Sequence, residues 1–457
     1  MMRTESLPCF KALDVRGRIP DQLNEDLAYK IGQAYAQVTG SKKVVVGYDI
    51  RLSSPGMARA LSEGLRHQGV NVIDIGLGGT EMVYFGAFHL EEEGVDGGLM
   101  VTASHNPADY NGIKFVKAGA RPISKDNGLL EIEQAAMKDD FAQSEQPGTL
   151  ESHDLMPEYI AHLLQYVDIE KIKPLKVVTN PGHGGAGLVI DQLEKHLPIE
   201  FIKIQHDPDG HFPCGIPNPL LPDNRAATAQ AVLEHGADLG IAWDGDFDRC
   251  FFFDAAGQFI EGYYLVGMLA QAMLSKHPGE AVIYEPRLTW NTLELVSQAG
   301  GRPVLCKTGH AFIKERMRAE DALYGGEMSA HHYFRDFAYC DSGQIPWLLV
   351  AQLLSETGQS LSDMVNERLG LFPTSGEINR TIADADKSIE AVRAVYASQA
   401  LHQDTTDGFS FEFESWRFNL RKSNTEPLVR LNVETRGDAE LLDEKTREVL
   451  QVLDGAS

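Results

Sequence analysis

Three stretches of the chain repeat one order of apolar and polar positions. Each begins with an apolar run that ends in a polar loop, continues through a segment of helical periodicity and a second apolar run, and closes with a third run before an unusual polar loop. The opening runs are VVVGYD at residues 44–49, KVVTNPG at 176–182 and AVIYEPR at 281–287. The closing runs are GGLMVTASHNP, ADLGIAWDGDFD and DALYGGEMSAHH. Strands alternating with helices in this way predict parallel βαβ units.

The first predicted helix begins at Ser53 or Ser54, either of which can cap it, and ends at Gly69. The corresponding helix of the second stretch passes through Ile190 and Leu193. Ligands of open α/β sheets bind at the carboxyl ends of the strands. The loops that follow the three closing runs are therefore the places where function is expected.

The pattern changes after about residue 370. The stretch FEFESWRFNLRKSNTEPLVRLNVET reads as two alternating strands joined by a polar loop, which indicates a smaller α+β domain. The predicted fold class is α/β, with three similar domains built from βαβ units followed by this smaller domain. The predicted domains are residues 1–150, 151–254, 255–369 and 370–457.

Charge and composition exclude several classes of partner. The chain has 457 residues and a formal net charge of −25, without a basic stripe that would suit nucleic acid or an anionic membrane surface. The five cysteines show no paired spacing typical of zinc or redox sites. The amino terminus lacks an apolar signal core, and the longest apolar run, residues 345–354, is too short to span a bilayer. These features predict a cytoplasmic protein.

Ser104 lies in TASHNP, where Pro107 prevents the strand from continuing and an exposed serine is expected. One interpretation is an ordinary turn in which Ser104 and Asn106 bond to the local backbone. The other is a nucleophile. An acyl-transfer hydrolase is disfavoured because the G-x-S-x-G sequence is absent around this serine.

Asp244, Asp246 and Asp248 alternate in DGDFDR, so on an extended segment their carboxylates project to one side. Their mutual repulsion favours a cation, and three oxygen ligands leave positions for water and a phosphate oxygen, as magnesium prefers. An EF-hand is excluded because Arg249 and Ala255 occupy its glycine and glutamate positions. A solvated acidic turn is the alternative. Arg249 either pairs with the aspartates or contacts a transferring phosphoryl group.

Two further loops carry groups suited to a sugar phosphate. GEMSAHH offers Glu327, Ser329 and His331, which can bond vicinal sugar hydroxyls. RKSNTEP and the strand after it offer cations, hydroxyls and backbone N–H groups that form a phosphate nest: Arg421, Ser423, Asn424, Thr425 and Arg430. Each loop alone also fits ordinary turn chemistry.

A competing motif is G-H-G-G-A-G at residues 182–187, which satisfies the dinucleotide pattern G-x-G-x-x-G and has Asp207 about twenty residues further on. It predicts an NAD-dependent dehydrogenase. The corresponding loops of the sister stretches, YDIRLSS and EPRLTWN, contain no glycine. The glycines therefore read as one variant of a repeated connection.

The four loops, in this order, resemble those of the α-D-phosphohexomutase superfamily, and most of all those of bacterial phosphomannomutases. TASHNP is similar to the phosphoserine loop, DGDFDR to the magnesium loop, GEMSAHHYF to the sugar-recognition loop and RKSNTEP to the phosphate-binding loop. The resemblance implies three mixed-sheet α/β domains and a C-terminal domain around a central cleft. Met328 stands where glucose-specific relatives usually carry glutamate, which favours mannose. Leu13 replaces a tyrosine common in the family, which puts a phenolic contact to phosphate in doubt.

The resemblance also implies an activity and roles for residues. Mannose 6-phosphate and mannose 1-phosphate would interconvert through phosphorylated Ser104, with hexose 1,6-bisphosphate as intermediate and activator, to supply GDP-mannose synthesis. Mg²⁺ would be held at Ser104 and the three aspartates. Arg249 and Arg16 would assist transfer. The general acid and base candidates are His105, Lys114 and His310, and Arg287 would line the cleft. A phosphoglucomutase, a dual-specificity mutase and a non-catalytic sugar-phosphate sensor stay open, as does a monomer or homodimer.

Overall fold

The computed structural model describes residues 6–142, 144–422 and 428–455. Two compact units divide the chain: a first unit within Met1–Phe259 and Tyr333–Gly358, and a second unit within Ile260–His332 and Gln359–Ser457. The strands are β1 (Val15–Arg18), β2 (Lys43–Tyr48), β3 (Asn71–Leu77), β4 (Gly97–Val101), β5 (Tyr110–Lys117), β6 (Arg121–Pro122), β7 (Leu150–Ser152), β8 (Leu175–Asn180), β9 (Ile199–Lys203), β10 (Leu239–Trp243), β11 (Cys250–Asp254), β12 (Phe259–Ile260), β13 (Ala281–Tyr284), β14 (Arg302–Leu305), β15 (Tyr324–Gly326), β16 (His332–Phe334), β17 (Cys340–Asp341), β18 (Thr374–Thr381), β19 (His402–Asp404), β20 (Phe409–Glu412), β21 (Trp416–Lys422) and β22 (Leu428–Thr435). The α-helices are α1 (Glu25–Thr39), α2 (Ser54–His67), α3 (Thr80–His89), α4 (Leu129–Lys138), α5 (Met156–Leu163), α6 (Ala186–Leu193), α7 (Ala226–His235), α8 (Gly262–Lys276), α9 (Trp290–Gln298), α10 (His310–Glu320), α11 (Ile345–Thr357), α12 (Leu361–Leu371), α13 (Ala385–Tyr396) and α14 (Ala439–Gly455).

The first unit contains two mixed sheets. In one, β2 pairs in parallel with β3 and β4, while β5 is antiparallel to β4. In the other, β8 pairs in parallel with β9 and β10, while β11 is antiparallel to β10. The predicted βαβ units are therefore confirmed, and in each sheet the third predicted strand, β4 or β10, leads directly into a candidate loop. Every residue of β4 and of β10 is buried, as expected of strands covered on both faces.

Helices α1 and α2 pack closely beside the first sheet. A Cβ atom at Gly64 of α2 would lie 2.0 Å from the Tyr29 carbonyl oxygen of α1, so the absence of a side chain permits the contact. The prediction that a serine side chain caps α2 is wrong, because neither serine bonds to the first N–H groups of the helix. Ser53 precedes the helix without a capping bond, and Ser54 Oγ instead donates to Asp49 Oδ1 at 2.6 Å.

The second unit contains the parallel strands β13, β14 and β15 and an antiparallel sheet in the order β18-β22-β21-β20-β19. Helices α13 and α14 cover the antiparallel sheet around Phe418, Leu431 and Val433, which are fully buried. The predicted fold class is confirmed. The stretch after residue 408 forms three strands rather than the two predicted, because a tight turn closed by the Phe413 N–H and Trp416 carbonyl separates β20 from β21. That turn has no glycine or proline to mark it.

Within the described residues, no helix combines the length and the apolar character needed to cross a bilayer. The longest apolar run forms helix α11, which has 13 residues.

Candidate active site

Ser104 follows β4 in a left-handed backbone conformation, with φ of 48°, that is uncommon for a residue with a side chain. Its Oγ donates to Asp244 Oδ2 at 2.8 Å, which joins the loop after β4 to the loop after β10. The prediction of an exposed serine is wrong, because Ser104 is only 3% exposed. Asp244, which lies against Ser104, is 140 residues away in sequence, so the residues around Ser104 give no indication of its burial.

Arg51, which was not predicted from the sequence, stabilises the backbone of the Ser104 loop. Its guanidinium donates to the carbonyl oxygens of residues 104, 106, 107 and 110 at 2.6–2.9 Å. The side chain is 1% exposed and its Nε lies 3.5 Å from Asp49 Oδ2. Asp49 in turn accepts from Thr102 Oγ1 at 2.7 Å. The only sequence signal was the polar end of β2, where Asp49 and Arg51 follow the strand.

The three aspartates converge as predicted, and each offers an oxygen within 4.8 Å of those of the other two. Lys114 of β5 donates to Asp246 Oδ2 at 2.7 Å and to Asp248 Oδ2 at 2.6 Å. Asp244 Oδ1 and Asp246 Oδ1 are buried without a hydrogen-bond donor among the described residues. Buried carboxylate oxygens are costly without a partner, so the cluster fits a divalent cation bound through these oxygens.

Burial and the neighbouring charges shift the ionisation of the groups in this cluster. Burial raises the pKa of Asp244 to about 6, even though the Arg249 guanidinium opposes that rise. Arg249 Nε and Nη2 donate to Asp244 Oδ2 at 2.9 and 2.6 Å. Burial also opposes the charged form of Lys114, but Asp246 and Asp248 together raise the pKa of its ammonium group. Lys114 therefore stays protonated and serves as a fixed cation.

His105 and Arg16 flank Ser104. Arg249 Nη2 lies 2.5 Å from His105 Nδ1, and Ser104 Oγ lies 3.1 Å from the same nitrogen. Burial and the charges of Arg249 and Arg16 lower the pKa of His105 well below its usual range, so the imidazole is neutral with Nδ1 as an acceptor. Arg16 Nη1 donates to Asn106 Oδ1 at 2.6 Å. The structure thus brings the predicted groups of the first unit together around one hydroxyl.

The glycine motif at residues 182–187 has a packing explanation. A Cβ atom at Gly185 would lie 2.9 Å from the Phe247 ring, and one at Gly184 would lie 3.2 Å from the Gly245 carbonyl oxygen. Gly79, before α3, meets the same ring even more closely, at 2.3 Å. Two of the four glycines in this motif, Gly184 and Gly185, therefore leave room for the aspartate loop.

In the second unit, the loop after β15 surrounds Glu327, which is 2% exposed. Glu327 Oε1 accepts from the Gly309 N–H at 3.0 Å, and Glu327 Oε2 lies 3.4 Å from His331 Nδ1. Ser329 Oγ lies 3.5 Å from His331 Nδ1. His310 is the first residue of α10 and follows Gly309, which brings it to the same strand ends.

Arg287 lies beside this loop. Its Nε donates to both oxygens of Glu285 at 2.6–2.7 Å, and Nη2 lies 3.5 Å from Ser329 Oγ. Glu285, another residue that the sequence reasoning missed, also accepts from the Met328 N–H at 3.1 Å. The local signal was again a polar residue at a strand end, after β13.

Arg421 and Arg430 lie on β21 and β22 and both contact Glu377 of β18. Glu377 Oε2 accepts from Arg421 Nη2 at 3.2 Å and from Arg287 Nη1 at 3.3 Å. The predicted phosphate-binding residues Ser423, Asn424 and Thr425 lie outside the described residues. Glu377 has no counterpart in the sequence predictions, because nothing around it in the chain indicates its arginine partners.

Four family models match consecutive parts of the chain. They are described as phosphoglucomutase/phosphomannomutase α/β/α domains I, II and III and the C-terminal domain, and they match residues 8–143, 157–257, 261–372 and 377–451. The chain belongs to the phosphoglucomutase/phosphomannomutase family. The predicted relationship to the α-D-phosphohexomutases is confirmed, whereas the domain limits at residues 150, 254 and 369 stay predictions.

Relatives within this family match over almost the whole chain. A protein of Xanthomonas campestris described as "Phosphohexose mutases" is 60% identical over 98% of this chain and 100% of its own. A phosphomannomutase of Salmonella montevideo is 58% identical over 98% of this chain and 99% of its own. The crystal structure of a phosphoglucomutase/phosphomannomutase family protein from Burkholderia thailandensis has a TM-score of 0.88 and 32% identity, with 98% of both chains covered.

Proposed function

We propose that this chain is a phosphomannomutase that interconverts mannose 6-phosphate and mannose 1-phosphate through a phosphorylated Ser104. The observation that carries the proposal is the Ser104 hydroxyl 2.8 Å from Asp244, inside a cluster of three carboxylates, Lys114 and Arg249. Relatives of 51–58% identity are described as phosphomannomutases. A hexose phosphate is the substrate class, and the product supplies GDP-mannose synthesis.

In the reaction, the bond between phosphorus and Ser104 Oγ breaks while a bond forms to a free sugar hydroxyl. The resulting hexose 1,6-bisphosphate then returns its other phosphate to the serine, so no phosphate is consumed. A Mg²⁺ ion held by Asp244, Asp246 and Asp248 would neutralise charge on the transferring group. Arg249 and Arg16 add fixed positive charge beside Ser104, and Lys114 keeps the carboxylates oriented.

The proton of the attacking hydroxyl needs an acceptor. Lys114 is an unsuitable base and a weak acid because Asp246 and Asp248 raise the pKa of its ammonium group, so it suits the role of an electrostatic partner. His105 is neutral, but Arg249 occupies its Nδ1. Because Nδ1 is the acceptor of the neutral ring, Nε2 carries its proton, so His105 can accept a proton at Nδ1 only when Arg249 has moved away. His310 stays a candidate at the ends of the second unit's strands.

The remaining predicted residues anchor the substrate. Glu327 and Ser329 bond sugar hydroxyls in either orientation, with His331 and Arg287 beside them. Arg421, Arg430 and the hydroxyls and amide of the loop between β21 and β22 hold the phosphate that is not reacting. This shared anchor lets one site accept both 1- and 6-phosphates.

The test is conversion of mannose 1-phosphate and glucose 1-phosphate with Mg²⁺ and a catalytic amount of hexose 1,6-bisphosphate. We expect the wild-type protein to convert mannose 1-phosphate. We expect this activity to be lost in Ser104→Ala and after removal of divalent cations. Faster turnover of glucose 1-phosphate would replace the proposal with the phosphoglucomutase alternative. A Ser104→Ala protein with full activity would refute the phosphoserine, and ligand binding without turnover would favour a sensor. The proposal includes a cytoplasmic location and a monomer or homodimer.

A further inference from the structure

Two arginines face each other across the last hairpin. Arg421 of β21 and Arg430 of β22 are directly paired in the strand register, close to the end of β21 and the start of β22. Like charges placed directly opposite on neighbouring strands repel one another. Such a pair is stable when an anion lies between the guanidinium groups, so the hairpin has the form of an anion site.

In this structure the anion is Glu377. It lies on β18, the strand on the other side of β22. Its two carboxylate oxygens contact three guanidinium groups: Arg421 Nη2 at 3.2 Å, Arg287 Nη1 at 3.3 Å and Arg430 Nη1 at 3.4 Å. A carboxylate with both oxygens paired to guanidinium groups reproduces two of the three terminal oxygens of a phosphate monoester.

Burial of the Arg287 and Arg421 side chains strengthens the electrostatic effect of Glu377 on any phosphate that binds there. The Arg287 and Arg421 side chains are 4% and 5% exposed, whereas Glu377 is 20% exposed. Although burial opposes it, the three arginines lower the pKa of Glu377, which is therefore ionised at neutral pH. A phosphate dianion and an ionised Glu377 would repel strongly if both lay among these arginines. Phosphate binding thus requires that Glu377 move aside.

We propose that Glu377 is an internal counter-anion of the phosphate site, which pairs with Arg421 and Arg430 in the free enzyme and competes with the non-reacting phosphate of the substrate. The inference rests on the proposed function for the identity of that phosphate. A competing carboxylate lowers phosphate affinity and speeds release by re-pairing with the arginines. The proposed reaction needs such release, because the bisphosphate must leave this anchor and return in the opposite orientation.

The test is binding of inorganic phosphate and of mannose 6-phosphate to the full chain and to Glu377→Gln, measured by isothermal titration calorimetry. Glutamine keeps the size of the side chain and removes the charge. We expect Glu377→Gln to bind both ligands about tenfold more tightly, and its kcat and KM to fall together. Glu448→Gln, which removes an exposed carboxylate paired with Lys445 on α14, is the control and should bind phosphate as the wild type does.

Unchanged or weaker phosphate binding in a folded Glu377→Gln protein would overturn the proposal, since Glu377 would then only position the arginines. If Glu377→Gln fails to fold, Glu377→Ala, which also removes the carboxylate, provides the same test and is again expected to bind phosphate more tightly. Inorganic phosphate binding needs no turnover. A wild-type chain without mutase activity would therefore refute the proposed function. The comparison of phosphate binding between wild type and Glu377→Gln would still test the role of Glu377 independently.

Discussion

The two polar clusters of this chain satisfy their charges in opposite ways. In the first unit, three aspartates outnumber Lys114 and Arg249, and two buried carboxylate oxygens have no donor among the described residues. In the second unit, Arg287, Arg421 and Arg430 all lie within ion-pair distance of Glu377, and Arg287 also pairs with Glu285, although Arg421 Nε is buried without an acceptor among the described residues. On the two proposals above, a cation would complete the first cluster, whereas a phosphate would have to displace Glu377 in the second.

The comparison predicts a large loss for a change in the first cluster. Asp246→Asn keeps the hydrogen-bond geometry toward Lys114 and Thr80 but removes the charge that would hold a cation. We expect activity to fall by about a thousandfold and the Mg²⁺ concentration for half-maximal activity to rise. Steady-state assays across a Mg²⁺ series measure both.

Asp238→Asn is the control, because this aspartate accepts from the Lys176 N–H at the exposed start of β8, away from the cluster. It should leave the magnesium requirement unchanged. An Asp246→Asn protein with normal activity and a normal magnesium series would show that the triad is a structural ion-pair network.

The next largest effect concerns stability of the Ser104 loop. Arg51→Met leaves four carbonyl oxygens and the buried Asp49 carboxylate without their cationic donor. We expect the free energy of unfolding to fall by about 3–5 kcal/mol, as measured by chemical denaturation. Arg66→Met is the control, because Arg66 also donates to a backbone carbonyl but is 27% exposed, and its loss should cost less than about 1 kcal/mol. Equal losses in both variants would contradict a special role for Arg51.

These examples show which parts of the site the sequence could predict. Ser104 and the aspartates sit at strand ends, where a polar loop after an apolar run is visible locally, and the repeat placed those loops at equivalent positions. Arg51, Glu285 and Glu377 also lie at strand ends or on strands, but their importance depends on partners brought together by folding. The burial of Ser104 has the same cause, since Asp244 covers it from a different sheet.

A smaller effect is expected for the anion site of the second cluster. Arg421→Met removes one of the guanidinium groups that face Glu377, and we expect phosphate affinity to fall by about 1.5–3 kcal/mol. Calorimetry with inorganic phosphate measures this without turnover. Arg436→Met, which removes an arginine stacked on Trp290 and half-exposed, is the control. Equal phosphate affinity in wild type and Arg421→Met would place the anion site elsewhere.

The smallest effect, when counted for a single pH unit, is the pH dependence of stability in the second unit. His332 is fully buried, receives a hydrogen bond from or donates one to Tyr324 at 2.6 Å, and has no partner for Nε2 among the described residues. Burial lowers the pKa of His332 to about 3. The unfolded chain takes up this proton below its ordinary value of 6.5 and the folded chain does not. Stability contributed by the neutral form is therefore present above pH 6.5 and is lost toward pH 3.

Hydrogen exchange of β15 in the second unit, compared with β10 in the first, measures this loss region by region. We expect the protection of β15 to weaken by about 1.4 kcal/mol per pH unit below 6.5. We expect this slope to be smaller in His332→Phe, which also loses the hydrogen bond to Tyr324 and is therefore less stable near neutral pH. His402→Phe, on the exposed strand β19, should keep the wild-type slope. Because His332 lies only in the second unit, an equal loss of slope in β10 would show that the two units unfold together rather than separately.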